Sequence, residues 1–284
     1  VELLDEFTGR TVSDRHWPDG LHRALEAKEG LALKPEGRIL QSITLQHFCR
    51  RYPKLAGMTG TALPADREVL EFYDLRTLVL PPHRPCVRRD EEDRIFADME
   101  SKHAAIVDEV AQAHGRGQPV LMGTHSVFES KELAARLSEA GIPSQVLNAE
   151  NDAEEAAIIA EAGAPGAVTV STNMAGRGTD IRLGGADGAE RARAEEAGGL
   201  YVIGCNRHES RRIDDQLRGR SGRQGDPGLS RFFISLEDPL MKTYGIDDLL
   251  SPKKKASIRP GHVLPGVGLH NKVAFVQRII EGQN

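Results

Sequence analysis

Apolar and polar positions change period repeatedly along this chain. Between residues 95 and 236, short apolar runs of strand type alternate with stretches of helical spacing. "PVLMGT", "PSQVLNA", "GAVTVSTN", "GGLYVIGC" and "SRFFISLE" read as strands. "KHAAIVDEVAQAHGRGQ", "SVFESKELAARLSEAG", "DAEEAAIIAEAG" and "ESRRIDDQLRGR" read as helices. Ile106 and Val110 stand four apart in the first helix, as do Leu133 and Leu137 in the second, and Gly141 follows the second helix. Strands alternating with helices imply parallel βα units, so a three-layer α/β domain is expected here.

The flanks are less regular. "VELLDEF" predicts a strand and "GLHRALEAKEG" a helix stopped by Gly30. "ITLQHFCRRYPKLAGMTGTA" predicts a helix, a proline break and a glycine-rich turn. "LRTLVLPP" predicts a strand closed by prolines, and Pro81, Pro82 and Pro85 make a stiff link. After Pro239, "SPKKKASIRPGHVLPG" reads as a linker. "NKVAFVQRIIEGQN" then sets Val273, Val276, Ile279 and Ile280 at helical spacing. That stripe needs a partner. A chain that opens inside an apolar run at Val1 and stops there reads as a fragment of something longer.

Composition narrows the class. Of 284 residues, 39% are hydrophobic, enough for an ordinary packed core. Only 5% are aromatic and the net charge is -5, which argues against a base-stacking or general nucleic-acid surface. Cys49, Cys86 and Cys205 are far apart and odd in number, so reduced, part-buried thiols are expected, with no disulfide framework and no metal site. No apolar run approaches the roughly 20 residues that span a bilayer.

Two stretches carry candidate chemistry. "AVTVST" ends at Thr172, and "NMAGRGTDIRLGG" follows, beyond the carboxyl end of a strand where open α/β sheets bind ligands. Gly176 and Gly178 let backbone N–H groups approach an anion, and Arg177 adds charge. Asp180 can accept from a ribose hydroxyl or hold an arginine. A flexible strand-to-helix loop explains the same glycines.

The second stretch is "QLRGRSGRQGD", with three arginines and three glycines in eleven residues. If the helix continues through it, Gln216, Arg220 and Arg223 share a face at i, i+4 and i+7. Each glycine costs about 1 kcal/mol against alanine in a helix, which makes sense if another surface comes close, such as an opposing domain. The guanidinium fork suits phosphate oxygens. A solvated helix with pairs Arg211–Asp215 and Asp214–Arg218 accounts for Arg211 and Arg218, but not for Arg220 and Arg223 beside glycines.

"TNMAGRGTDIRLGG" and "GCNRHESRRIDDQLRGRSGRQGDPGLSRFFISLED" closely resemble motifs V and VI of the SecA family, the motor ATPases of bacterial protein secretion. "LDEFTGR", "WPDGLHRALEAKEG", "KLAGMTGTA" and "GQPVLMGT" resemble the same family in the same order. The resemblance runs from about Val1 to about Tyr244, and more loosely through the tail.

It implies a RecA-like, mainly parallel three-layer domain of the P-loop NTPase and superfamily 2 motor type, with partial flanking segments. Residues 1–15 would end a preprotein-crosslinking domain. Residues 16–82 would be the C-terminal part of a first nucleotide-binding domain, with "GMTGTA" (Gly57 to Ala62) coupling nucleotide state to movement. Residues 83–246 would be the second nucleotide-binding domain. Residues 247–284 would be a linker and the start of a helical scaffold.

The resemblance further implies ATP and Mg²⁺ as cofactors, and preproteins, the SecYEG channel and an anionic membrane surface as partners. It allows a homodimer and disfavours nucleic acid. It places the protein in the cytoplasm and at the inner face of the plasma membrane. Arg220, Arg223 and Gln216 would act on or sense the γ-phosphate. Asp180, Gly176, Arg177 and Gly178 would line the nucleotide cleft.

One departure is clear. A phosphate-cradling Walker A loop needs Gly-Lys-Ser/Thr, and no lysine of this sequence follows a glycine. "ELLDE" imitates a Walker B strand but aligns with the crosslinking domain. The phosphate and Mg²⁺ ligands are therefore expected upstream of Val1, and this chain alone is expected to be inactive. A superfamily 2 helicase is the alternative, supported by seven arginines between Arg207 and Arg231. A non-catalytic nucleotide-sensing module is a third.

Overall fold

A computed structural model of the chain describes residues 1, 3–4, 11–12, 16–33, 40–147, 152–172, 179–245 and 269–283. The chain divides at Pro81–Pro82 into two compact units. The smaller holds a two-stranded antiparallel pair, β1 (Leu3–Leu4) and β2 (Thr11–Val12), and three short helices, α1 (Leu21–Lys28), α2 (Leu45–Cys49) and α3 (Asp66–Tyr73). Thr44 caps α2 by accepting from His47 N at 3.3 Å. The "GMTGTA" segment forms a turn in which Thr59 and Thr61 share a hydroxyl contact at 3.2 Å.

The strand expected from "LRTLVLPP" does not form, and the helix α3 just before it was missed. Leu78, Val79 and Leu80 are exposed. An apolar run becomes a strand only where a neighbour takes its backbone hydrogen bonds, and no described strand pairs with this one.

The larger unit is built on a parallel sheet. Its strands are β3 (Arg89–Asp90), β4 (Arg94–Phe96), β5 (Val120–Thr124), β6 (Gln145–Leu147), β7 (Val168–Thr172), β8 (Leu200–Gly204) and β9 (Gly228–Ser235). Its helices are α4 (Met99–Gly115), α5 (Val127–Glu139), α6 (Asp152–Glu161), α7 (Arg191–Glu196), α8 (Arg211–Arg218), α9 (Pro239–Thr243) and α10 (Leu269–Gln283). The order is β3-β9-β8-β5-β7-β6, with β4 also on β9, and every described pairing in it is parallel.

β5, β7 and β8 are buried at every position, because helices cover both faces. On one face Val120, Met122, Val170, Tyr201 and Ile203 pack with Ile106 and Val110 of α4 and Leu133 and Leu137 of α5. On the other, Leu121, Val202, Phe232 and Ile234 pack with Ile159 of α6, Leu217 of α8 and Leu240 of α9. This is the three-layer α/β architecture expected. Strands β3 and β4 and helices α7 and α9 were not legible, being too short to show a period.

The C-terminal stripe finds its partner inside this unit. Val273, Val276 and Ile280 join the second core, whereas Ile279 lies outside it and is exposed. Among the described residues no helix is long and apolar enough to cross a membrane. Cys205 is buried and Cys49 half-buried, but Cys86 is exposed, so the part-buried expectation fails there.

The carboxyl edge of the sheet holds a buried cation. Lys102 of α4, with no exposed surface, donates to Cys205 O at 2.8 Å and Asp238 Oδ1 at 2.6 Å, with Glu129 Oε1 at 3.5 Å. Burial opposes its charge, but Asp238 and Glu129 hold its pKa above the ordinary value. Burial pushes Asp238 up to about 6 against the pull of Lys102. Lys102→Met would leave two buried carboxylates without their cation. A loss of about 3–5 kcal/mol in denaturant unfolding is expected, partly recovered by adding Asp238→Asn. An undiminished unfolding midpoint in the single variant would refute this.

Candidate nucleotide-responsive site

The arginine-rich stretch is positioned from the start of α8. Ser210 caps that helix, accepting from Arg212 N at 3.3 Å. Asp214, in its first turn, is fully buried. It accepts from Arg207 Nη1 at 3.0 Å, His208 N at 3.1 Å and Gln277 Nε2 at 2.8 Å, and its Oδ1 lies 2.8 Å from His208 Nδ1. Burial would raise its pKa, but the His208 hydrogen bond and the Arg207 charge hold it below the ordinary carboxylate value. Arg207 is itself held by Asp93, with contacts of 2.6–3.0 Å.

The expected Asp214–Arg218 pair is therefore absent. Arg218 bonds Asp215 Oδ1 at 2.8 Å and lies over the Phe232 ring at 4.6 Å, while Arg207 lies 4.2 Å from the same ring. Arg211 does approach Asp215, at 3.8 Å.

The helix does not continue to Arg223. It ends at Arg218, and Gly222 takes a left-handed φ of 70°. A 3-10 turn over Arg223–Gly225 follows. Gln216, Arg220 and Arg223 thus do not form one helical face. Nor do Gly222 and Gly225 stand open for an opposing domain. A Cβ at Gly222 would lie 2.5 Å from the Cβ of Arg88, and one at Gly225 would lie 3.0 Å from that of Arg84. The close surface is the chain's own segment 84–88.

The two candidate stretches meet. Arg220 Nη1 donates to Thr179 O at 3.2 Å, and Arg223 Nη1 pairs with Asp180. Arg223 Nε donates to Gly219 O at 2.9 Å, folding its side chain back along the turn. Gln216 is half-buried on the preceding helix. Gly176, Arg177 and Gly178 lie outside the described residues.

Ser221, between the arginines, donates to Leu200 O at 2.6 Å, and Leu200 is the first residue of β8. α8 thus returns the backbone toward the amino end of the sheet at Ser221. Arg220 also borders a narrow cleft of about 20 Å³ with Gly123, Thr169 and Ser171. That space is far smaller than a nucleotide pocket. The arginines face a surface of the unit and not an enclosed cavity within the described residues. Arg88 and Gln277 were missed from sequence, because each reaches a partner far along the chain, and Asp214 was read only as a partner of Arg218.

Comparison with known proteins gives this arrangement a family. A family model described as the SecA P-loop domain matches residues 85–195 and 187–260, and one for the SecA DEAD-like domain matches 4–71. "Protein translocase subunit SecA 2" of Corynebacterium glutamicum (strain R) is 53% identical over 283 residues, covering 100% of this chain and 37% of that protein. The SecA 2 protein of Clostridioides difficile (strain 630) is 47% identical over 284 residues, covering 100% of this chain and 36% of its own length. SecA of Thiobacillus denitrificans is 46% identical over 316 aligned residues, 100% and 34% of the two chains. The chain spans about a third of the length of these relatives. Likeness to the solved E. coli DEAD-box protein SrmB is slight, at TM-score 0.43 and 21% identity over 64% of this chain and 99% of that one, and it bears no weight. With both family models matching in chain order and over most of its length, the chain belongs to the SecA family.

Proposed function

We propose that the chain supplies the nucleotide-responsive arginine side of an ATP-driven protein translocase. The observation that carries this reading is the junction of Thr179–Asp180 with Arg220–Arg223. It joins Thr179 and Asp180, which follow β7, to the cationic turn after α8. In this reading residues 1–15 close a preprotein-crosslinking domain and 16–82 complete the first nucleotide-binding domain. Residues 83–246 are the second, and 247–284 lead into a helical scaffold. Preproteins and the SecYEG channel are the partners of the intact protein, at the cytoplasmic face of the membrane. Family membership favours this over a nucleic-acid helicase.

The residues fit one half of an ATP site. Arg220 and Arg223 offer rigid, permanently charged donor forks suited to phosphate oxygens. Charge developing on a transferring phosphoryl group is stabilised by such preorganised cations. Arg220, braced on Thr179 O, would donate to the γ-phosphate from across the domain cleft. Arg223 would join it on leaving Asp180, whose carboxylate holds it until phosphate competes. Gln216 would sense the closed state. Gly176, Arg177 and Gly178 would line the cleft beside Asp180. ATP, when bound, supplies the free energy of its hydrolysis to water. The Mg²⁺ ligands are taken to lie in other parts of the intact protein, with the phosphate cradle that this chain lacks.

Arg220→Ala in the intact translocase is expected to retain nucleotide binding and to lower ATP turnover by about 10³-fold or more, as for other arginines of this type. Unchanged turnover would sink the assignment. The 284-residue chain by itself is expected to show no ATP hydrolysis above background, since no Gly-Lys pair is present to cradle phosphates. Robust hydrolysis by the isolated chain would overturn the half-site reading.

A further inference from the structure

The segment entering the larger unit from Pro81–Pro82 binds the arginine turn before it enters the sheet. Arg84, Cys86 and Arg88 alternate along it, and each touches that turn. The Cβ of Arg84 lies over Gly225 and that of Arg88 over Gly222, where an added Cβ would be only 2.5 Å away. Cys86 Sγ lies 3.8 Å from Gly222 O. Contacts at every second residue are those of an extended strap laid along a surface.

Arg88 is its fixing point. Its Nη1 donates to Ser221 O at 3.1 Å, between Arg220 and Arg223. Its Nε and Nη2 donate to Asp90 Oδ1 and Oδ2 at 2.7 and 3.0 Å. Asp90 belongs to β3 and accepts from Ser230 Oγ of β9 at 2.6 Å. One guanidinium therefore ties the arginine turn to two strands of the sheet. Lysine presents a point charge and cannot fill three fixed donor directions at once.

We propose that Arg88 is a positioning residue: it holds Arg220 and Arg223 in register with the sheet. The inference rests on the reading that these two arginines act on phosphate. It adds that segment 84–88 of the larger unit sets where the arginines stand.

The test uses Arg88→Ala and Arg88→Lys. In this chain, amide hydrogen exchange at residues 220–226 is expected to rise about tenfold or more in Arg88→Ala, with β5 and β7 amides unchanged. Arg88→Lys should lie between parent and alanine variant. In the intact translocase, Arg88→Ala is expected to lower kcat for ATP by about 10- to 100-fold, the cost of a misplaced catalytic group, with KM little altered. Exchange rising equally across the whole sheet would assign Arg88 a general structural role and overturn the proposal. So would unchanged exchange at 220–226, or unchanged kcat where Arg220→Ala abolishes turnover. If Arg220→Ala also leaves turnover unchanged, the phosphate reading fails instead, and the exchange data then judge the positioning role by themselves.

Discussion

A carboxylate removed from water must be paired, and the placement of the arginine turn depends on how Asp214 meets that demand. It draws in a guanidinium, a backbone N–H, an imidazole and a side-chain amide from two other parts of the chain. Arg207 and His208 leave β8, Asp214 opens α8, and Gln277 comes from α10. With these fixed, the first turn of α8 has one direction in which to run. Leu217 then enters the core and Arg218 settles on Phe232. The turn that follows stands where the helix leaves it.

The turn itself is shaped by backbone and not by helix. Gly222 reverses the chain with a left-handed φ, and Gln224 follows at φ 53°. A Cβ at Gly222 would collide with Arg88 of the segment 84–88. A glycine-rich arginine motif is thus a solution to close packing within one unit, and its cations are left directed at Thr179 and Asp180. Arg223 is held by a partly exposed acid, an interaction worth little in water and readily exchanged for a more highly charged partner. Lys102 contrasts with it. Fully buried among Asp238, Glu129 and a carbonyl, that cation has no exchange open to it and serves the sheet edge alone.

Much of this was legible in sequence. The period of the apolar positions gave the central strands and the four long helices of the larger unit. The density of glycine and arginine marked both stretches of the candidate site. What misled were local rules applied without their surroundings. "LRTLVLPP" has the composition of a strand but lacks a neighbour to pair with. Asp214 and Arg218 have the spacing of a helical ion pair, but burial gave Asp214 stronger partners. The stripe of Val273, Val276 and Ile280 showed its need for a partner without showing that the partner lay in the same unit.

The sequence by itself determined the alternating βα order, the buried strands and the chemical types available, because periodicity and side-chain chemistry are local properties. It also determined that no lysine of this chain follows a glycine, so that a Gly-Lys phosphate cradle is missing from it. Tertiary structure alone decided that Arg223 meets Asp180, that Arg88 reaches Ser221, and that Gln277 completes the shell of Asp214. These contacts join residues 43, 133 and 63 positions apart. No local pattern encodes such pairings, since they arise only when the sheet brings its loops and covering helices together and every buried polar group must find its partner.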